Sequence, residues 1–166
     1  KKIAKEIELQ HMCKAESAAG EDSPFITKTD IVWKKDDPEG RWVMDFRPLN
    51  QATVRRYARL VDLWSAARNI ASCIIKTMMD AWSGFTQVAA TKRAQELMKV
   101  ITVMGILKWL VMPFGVANGP AVYQDAMDSI FAEYLQDALW SELRSRLEIF
   151  MDDFGLGTGD AISQSW

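Results

Sequence analysis

Two mostly apolar runs each stop at aspartate, and this repetition constrains the fold more than any other feature of the chain. Cys73-Ile74-Ile75-Lys76-Thr77-Met78-Met79 ends at Asp80, and Leu147-Glu148-Ile149-Phe150-Met151 ends at Asp152-Asp153. Each run has the length of a strand, and each aspartate falls where a strand gives way to a tight turn. If the two strands are neighbours, Asp80 and Asp152 meet at one edge of a sheet. From Cys73 onward the expected order is strand, short helix, strand, strand, long helix, strand. That is a split βαβ pattern, an α+β arrangement with an antiparallel sheet and helices on one face. A generic α+β domain has the same order, so secondary structure alone does not separate the two.

The remaining elements are read from periodicity and turn residues. Lys1–Ala19 has helical spacing (Ile3, Ile7, Met12) and predicts an amphipathic helix, broken by Gly20 to Pro24. Ile26–Lys35 and Arg41–Phe46 predict a hairpin around Asp36-Asp37-Pro38-Glu39-Gly40. Val61–Asn69 predicts a short helix, and Cys73–Met79 a buried strand. Leu97–Val103 and Ile106–Met112 predict a second hairpin around Met104-Gly105. Asn118-Gly119-Pro120 opens a long helix, expected to run to about Arg146. A short strand is expected from Phe154, with Gly155, Gly157 and Gly159 loosening the tail. Trp33, Trp42, Trp82 and Trp109 read as core, although aromatics beside basic residues also stack on bases.

Composition narrows the chemistry. The 166 residues are 49% hydrophobic and 25% charged, which suits a globular domain and excludes disorder, collagen and a coiled-coil rod. Two cysteines far apart make no disulfide framework and no CxxC zinc site. His11 is the only histidine, and its polar N-terminal setting speaks against Ser-His-Asp or Cys-His catalysis. Carboxylates, Lys, Arg, hydroxyls and bound metal are left. No apolar stretch reaches transmembrane length, so no membrane partner is expected. Both ends look cut from something longer. The net charge of −2 advertises no global affinity for nucleic acid.

Carboxylates brought together without a neighbouring cation repel one another. Divalent cations stabilise them, and hard oxygen ligands suit Mg²⁺. Two such ions about 3.5–4 Å apart activate a 3′-hydroxyl and stabilise a leaving pyrophosphate. Taken singly, Asp-Asp after a strand is also a common hairpin turn, and Asp80 before Ala81-Trp82-Ser83-Gly84 is also a helix cap.

Blocks in a fixed order decide between these readings. Ser23-Pro24-Phe25 and Val32-Trp33-Lys34-Lys35-Asp36 come first, then Gly40-Arg41-Trp42-Val43-Met44-Asp45-Phe46-Arg47-Pro48-Leu49-Asn50. Met79-Asp80-Ala81-Trp82-Ser83-Gly84-Phe85-Thr86-Gln87-Val88 follows. Trp109-Leu110-Val111-Met112-Pro113-Phe114-Gly115-Val116-Ala117-Asn118-Gly119-Pro120-Ala121 and Phe150-Met151-Asp152-Asp153 complete the series. From about Ser23 to Gly157 the chain resembles the reverse transcriptase domain of LTR retrotransposons of the gypsy class.

That resemblance implies a polymerase palm, with a ferredoxin-like antiparallel sheet, plus a fingers subdomain with β-hairpins. Residues 1–54 and 88–118 would form the fingers, and 55–87 and 119–166 the palm. The thumb would be absent. It implies RNA-directed DNA polymerase activity, with dNTP transferred to a primer 3′-hydroxyl on an RNA or DNA template. Asp80, Asp152 and Asp153 would be the catalytic carboxylates. With the carbonyl of Ala81 they would hold two Mg²⁺ ions, Mn²⁺ being a substitute. Lys34, Lys35 and Arg41 would meet the nucleotide phosphates. Phe85 would be the steric gate against a 2′-hydroxyl, and Phe114 and Gly115 the pocket floor. Gln124, Phe150 and Met151 would lie at template and primer. Asp45-Phe46-Arg47 would be an internal salt bridge and packing unit. Partners would be template–primer, dNTP and the remainder of a polyprotein carrying thumb, RNase H and integrase. The setting would be intracellular, a cytoplasmic retroelement particle or the nucleus.

The chain also departs from the pattern. Phe150 replaces the usual Tyr of the Y-x-D-D box, and Trp82 fills a slot usually polar. Tyr57-Ala58-Arg59-Leu60 lacks the usual prolines, and Ala138–Ser145 looks like extra helix. A non-catalytic remnant and a palm-like nucleotide cyclase remain as alternatives. Lys34, Lys35, Arg41 and Arg47 gather in the expected fingers, a basic patch that the net charge conceals.

Overall fold

In the computed structural model the residues described are 2–15, 24–34, 37–57, 62–136 and 145–160. In chain order the elements are α1 (Lys2–Glu8), β1 (Met12–Lys14), β2 (Thr29–Lys34), β3 (Asp37–Met44), α2 (Arg47–Ala52), α3 (Leu63–Ala71) and β4 (Cys73–Asp80). A 3-10 turn (Gly84–Gln87) precedes α4 (Lys92–Leu97), β5 (Lys99–Thr102), β6 (Gly105–Trp109), α5 (Gly119–Ile130), α6 (Ala132–Gln136), β7 (Ser145–Phe150) and β8 (Asp153–Asp160). The chain divides into two compact units, Lys1–Arg55 with Phe85–Gly119, and Arg56–Gly84 with Pro120–Trp166.

The first unit holds a β1-β6-β5 sheet and the β2-β3 hairpin, all antiparallel. Period-two alternation sends Val100 of β5 and Leu107 and Trp109 of β6 into one core with Met12, Phe46, Leu49 and Met98. Trp42 stacks on Trp109 with ring centroids 6.0 Å apart. Trp33, in contrast, is exposed, contrary to its expected core role. The Thr91 side chain caps α4 by accepting from the Ala94 amide. The expected N-terminal helix ends at Glu8, and Met12–Lys14 instead pairs with β6. Pairing wins over helical periodicity because it buries Met12 and satisfies the edge of β6. The remainder of that expected helix, 16–19, lies outside the described residues, as does the break after it up to 23. The β5–β6 hairpin pairs with β1, not with the aspartate-bearing strands as a split βαβ would require.

The second unit is built on an antiparallel sheet ordered β4-β8-β7. The Asp62 side chain accepts from the Ser65 amide at 3.0 Å and starts α3, whose Ala66 and Ile70 are buried. The glycine-rich tail is the central strand β8, not a loosened end. Gly155 and Gly157 admit close neighbours there, since a Cβ on Gly155 would lie 3.0 Å from Ile70. β4 is not a buried strand: Cys73 is buried, but Ile74, Ile75, Met78 and Met79 are exposed. Among the described residues β4 is an edge strand, and an apolar run does not reveal whether anything covers its faces. The long helix ends at Ile130, with α6 after Phe131, and Arg146 belongs to β7. The Phe131 ring turns edge-on to Phe154, with centroids 5.4 Å apart. Of the expected extra helix, 138–144 lie outside the described residues. Trp82 is also exposed and not core.

Candidate active site

The β8 strand pairs with both aspartate-bearing segments. Asp80 at the end of β4 is opposite Asp153, and Phe150 at the end of β7 is opposite the same residue. Met151 and Asp152 form the connecting turn. The Ala81 amide donates to the Asp152 carbonyl at 2.7 Å, tying the two strand ends together. The turns carry two non-glycine residues in left-handed conformation, Ser83 at φ 54° and Met151 at φ 54°. Such conformations persist only where surrounding structure holds them. Asp80 and Asp153 are exposed and Asp152 is half-buried.

Two side chains of α5 lie behind these turns. Tyr123 is 1% exposed, and a Cβ on Gly84 would lie 2.6 Å from its hydroxyl oxygen. Burial pushes the Tyr123 phenol up, and the negative charges of Asp152 and Asp80 push it in the same direction. Both carboxylates therefore act on one buried hydroxyl. Gln124 is also 1% exposed. Its Oε1 accepts from the Met151 amide at 2.9 Å, and its Nε2 donates to the Asp128 carboxylate at 2.8 Å and the Ile149 carbonyl at 3.3 Å. Phe150 and Asp153 border an apolar cavity of about 400 Å³ walled by Ala66, Ile70 and Met78.

Among the described residues no three ligating side chains converge on one point. Asp80, Asp152 and the Ala81 carbonyl are nevertheless all-oxygen donors on adjoining backbone. That set fits a hard divalent cation that takes the rest of its shell from water and substrate phosphates.

The other expected site residues belong to the first unit. Phe85 is half-buried, and its ring meets Phe114 edge-on with centroids 5.1 Å apart. Gly115 has φ 95°, a conformation that favours glycine, and its carbonyl accepts from the Asn50 side chain at 2.8 Å. Asn50 also accepts from the Ala117 amide at 2.8 Å, so it pins the loop that carries Phe114. Arg41 is exposed on β3 opposite Val32, and Lys34 of β2 is opposite Asp37. Lys35 lies outside the described residues. Asp45 and Arg47 form a two-pronged ion pair at 2.7 and 2.8 Å beside the buried Phe46. Hydrogen bonds from Arg47 hold the Asp45 carboxyl at about 2. Tyr123 was not visible from sequence as a site residue, and Gly84 was its only signal.

Comparison with known proteins gives the same family. Residues 32–161 match the family described as "Reverse transcriptase (RNA-dependent DNA polymerase)". The "Retrovirus-related Pol polyprotein from transposon opus" of Drosophila melanogaster is 30% identical over 117 residues, 68% of this chain and 12% of that protein. The corresponding polyprotein from transposon gypsy of the same organism is 26% identical, over 68% of this chain and 11% of its own length. The "RNA-directed DNA polymerase homolog" of Oenothera berteroana is 30% identical, over 57% of this chain and 67% of its own length. The fold resembles the crystal structure of the native prototype foamy virus protease–reverse transcriptase, with a TM-score of 0.66 and 22% identity over 95% of this chain and 19% of that one. The chain belongs to the reverse transcriptase family and has its α+β polymerase fold. It spans about an eighth of the transposon polyproteins it matches. Among the described residues no helix is long and apolar enough to cross a membrane.

Proposed function

We propose that this chain is the RNA-directed DNA polymerase part of a retroelement polyprotein. In this reading the fingers (1–54 and 88–118) lie within the first unit, and the palm (55–87 and 119–166) takes the second unit together with Arg55, Phe85, Thr86, Gln87 and Gly119 of the first. The observation that carries it is the Ala81–Asp152 hydrogen bond, which joins the Asp80 strand end to the Met151-Asp152-Asp153 turn. The family works with divalent metal ions. Asp80, Asp152 and Asp153, with the Ala81 carbonyl, would hold two Mg²⁺ or Mn²⁺ ions. When bound, these supply the charge that activates a primer 3′-hydroxyl and stabilises pyrophosphate.

The chain's own residues bind and orient the substrates. Arg41 offers a planar fork to phosphate, and Lys34 and Lys35 offer point charges. Phe85, steadied by Phe114, would fill the space a 2′-hydroxyl needs. Phe150 and Met151 would lie beside the primer end. Primer extension on RNA and DNA templates by the full-length protein, against Asp152→Asn, tests this reading. Deoxynucleotide-dependent extension lost in the variant supports it. Equal activity in the variant overturns the metal assignment, and a cyclic nucleotide product overturns the reaction.

A further inference from the structure

We propose that Gln124 is a positioning residue that sets the geometry of the Met151–Asp152 turn, in place of the template contact that the resemblance implies. The inference rests on Asp80 and Asp152 being the reacting carboxylates.

Among the described residues β7 is an edge strand, paired along its inner edge with β8. Just before the turn, Ile149 presents a carbonyl on the outer edge, and Met151 an amide. Such groups need partners when water is excluded. The Gln124 amide meets both, accepting from Met151 at 2.9 Å and donating to Ile149 at 3.3 Å, as a neighbouring peptide group would. Only a side-chain amide offers one acceptor and a donor pair on a single plane. The second donor bond goes to Asp128 at 2.8 Å, one helical turn along α5. The Asp128 carboxylate oxygen is the acceptor of this bond, so it fixes which end of the amide faces Met151.

The placement has a purpose beyond packing. Met151 is held at φ 54°, a conformation an ordinary side chain adopts only under constraint. Asp152 follows it directly, and the Asp152 carbonyl is fixed from the other side by Ala81. Gln124 and Ala81 thus clamp the turn at consecutive residues. At 1% exposure, with both amide ends engaged, Gln124 has no surface to give a template.

Three forms of the full-length protein test this: wild type, Gln124→Met and Gln124→Glu. Met keeps the length and loses every bond. Glu keeps acceptance from Met151 but loses both donations and faces Asp128. Hydrogen exchange at the Met151 amide reads the bond itself, while kcat and KM for template–primer read the consequence. In Gln124→Met the expected result is exchange at Met151 faster by about tenfold or more. With it, kcat falls by about a hundredfold at little change in KM. Gln124→Glu is expected to retain Met151 protection and to recover part of kcat. Unchanged Met151 exchange in Gln124→Met overturns the proposal, and so does a rise in KM at constant kcat, the signature of a template contact. If Gln124→Met fails to fold, Gln124→Glu decides, and fully exposed exchange at Met151 there overturns the proposal. Full activity of Asp152→Asn would remove the underlying assignment while leaving the Met151 measurement intact.

Discussion

The Ala81 amide and the Asp152 carbonyl are joined at 2.7 Å across two strand ends that are 71 positions apart in the chain (152 − 81). This bond is made by the residue after one aspartate to the backbone of another, so it fixes their separation without using either carboxylate. Ala81→Pro removes the donor and leaves the preceding residue extended, as β4 already requires. The expected outcome is a fall in kcat of about a hundredfold, with stability lowered by only about 1 kcal/mol. Single-turnover nucleotide addition and a urea midpoint measure the two. Unaltered turnover would show that the bond does not govern the carboxylates.

Phe85 and Phe114 meet edge-on at 5.1 Å, so one ring limits where the other can swing. If Phe85 fills the place of a 2′-hydroxyl, shortening it admits ribonucleotides. Phe85→Val is expected to raise the ribo-to-deoxyribonucleotide ratio of kcat/KM by about tenfold or more, and Phe114→Leu by less. An unchanged ratio in Phe85→Val would make the ring ordinary packing.

The placing of the aspartates at strand ends was legible in the sequence because apolar runs ending in carboxylates are local signals, and Asp152 does lie in a hairpin turn, between β7 and β8. What supports them was not. Tyr123 looks like any aromatic on a helix, and its close approach to Gly84 is not a local signal. Gln124 was expected at the template side, and its bond to Met151, 27 positions away, could not be read from sequence. The N-terminal helix was overestimated for a related reason. Met12 fits a helical face and also a strand, and pairing with Trp109 decides between them. Gly155 and Gly157 suggested a loose end because sequence does not show which side chains lie over a strand. The exposure of Ile74, Ile75, Met78 and Met79 likewise depends on what packs on β4, which no local pattern encodes.

Glu96 holds two ammonium groups, Lys99 at 2.7 Å and Lys108 at 2.8 Å, and the Lys99 side chain is 3% exposed. Hydrogen bonds from Lys108 and then Lys99 lower the Glu96 carboxyl below its ordinary 4.5. Its contribution is therefore complete above that value and is lost as pH falls through the lowered one. Glu96→Gln leaves the Lys99 ammonium buried beside a neutral amide and is expected to cost about 3 kcal/mol. Lys99→Met removes the buried charge along with its need for a partner and is expected to stay within about 1 kcal/mol. Urea unfolding at pH 7 ranks the two variants, and the reverse order would mean that Lys99, not Glu96, is the group the core depends on.

Gly157 makes the most specific demand on side-chain size in the central strand. A Cβ there would lie 2.8 Å from the Cβ of Cys73 and closer still to its Sγ, and Cys73 is buried. Neither group can retreat, because β4 and β8 are joined from Cys73 to Asp80. Gly155 differs, since its nearest neighbour is Cγ1 of Ile70 at 3.0 Å, a contact that a shift of a few tenths of an ångström relieves. Gly157→Ala is accordingly expected to cost about 1–3 kcal/mol, and Gly155→Ala about 1 kcal/mol or less. Adding Cys73→Gly should recover part of the Gly157→Ala loss, with a favourable coupling of about 1 kcal/mol in the double-mutant cycle. The same ladder ends at the Asp80–Asp153 pair, so forcing β4 away from β8 also spreads the carboxylates. Gly157→Ala should therefore lose more turnover than its stability loss explains, and Cys73→Gly should restore both together. Additive energies would place the crowding elsewhere.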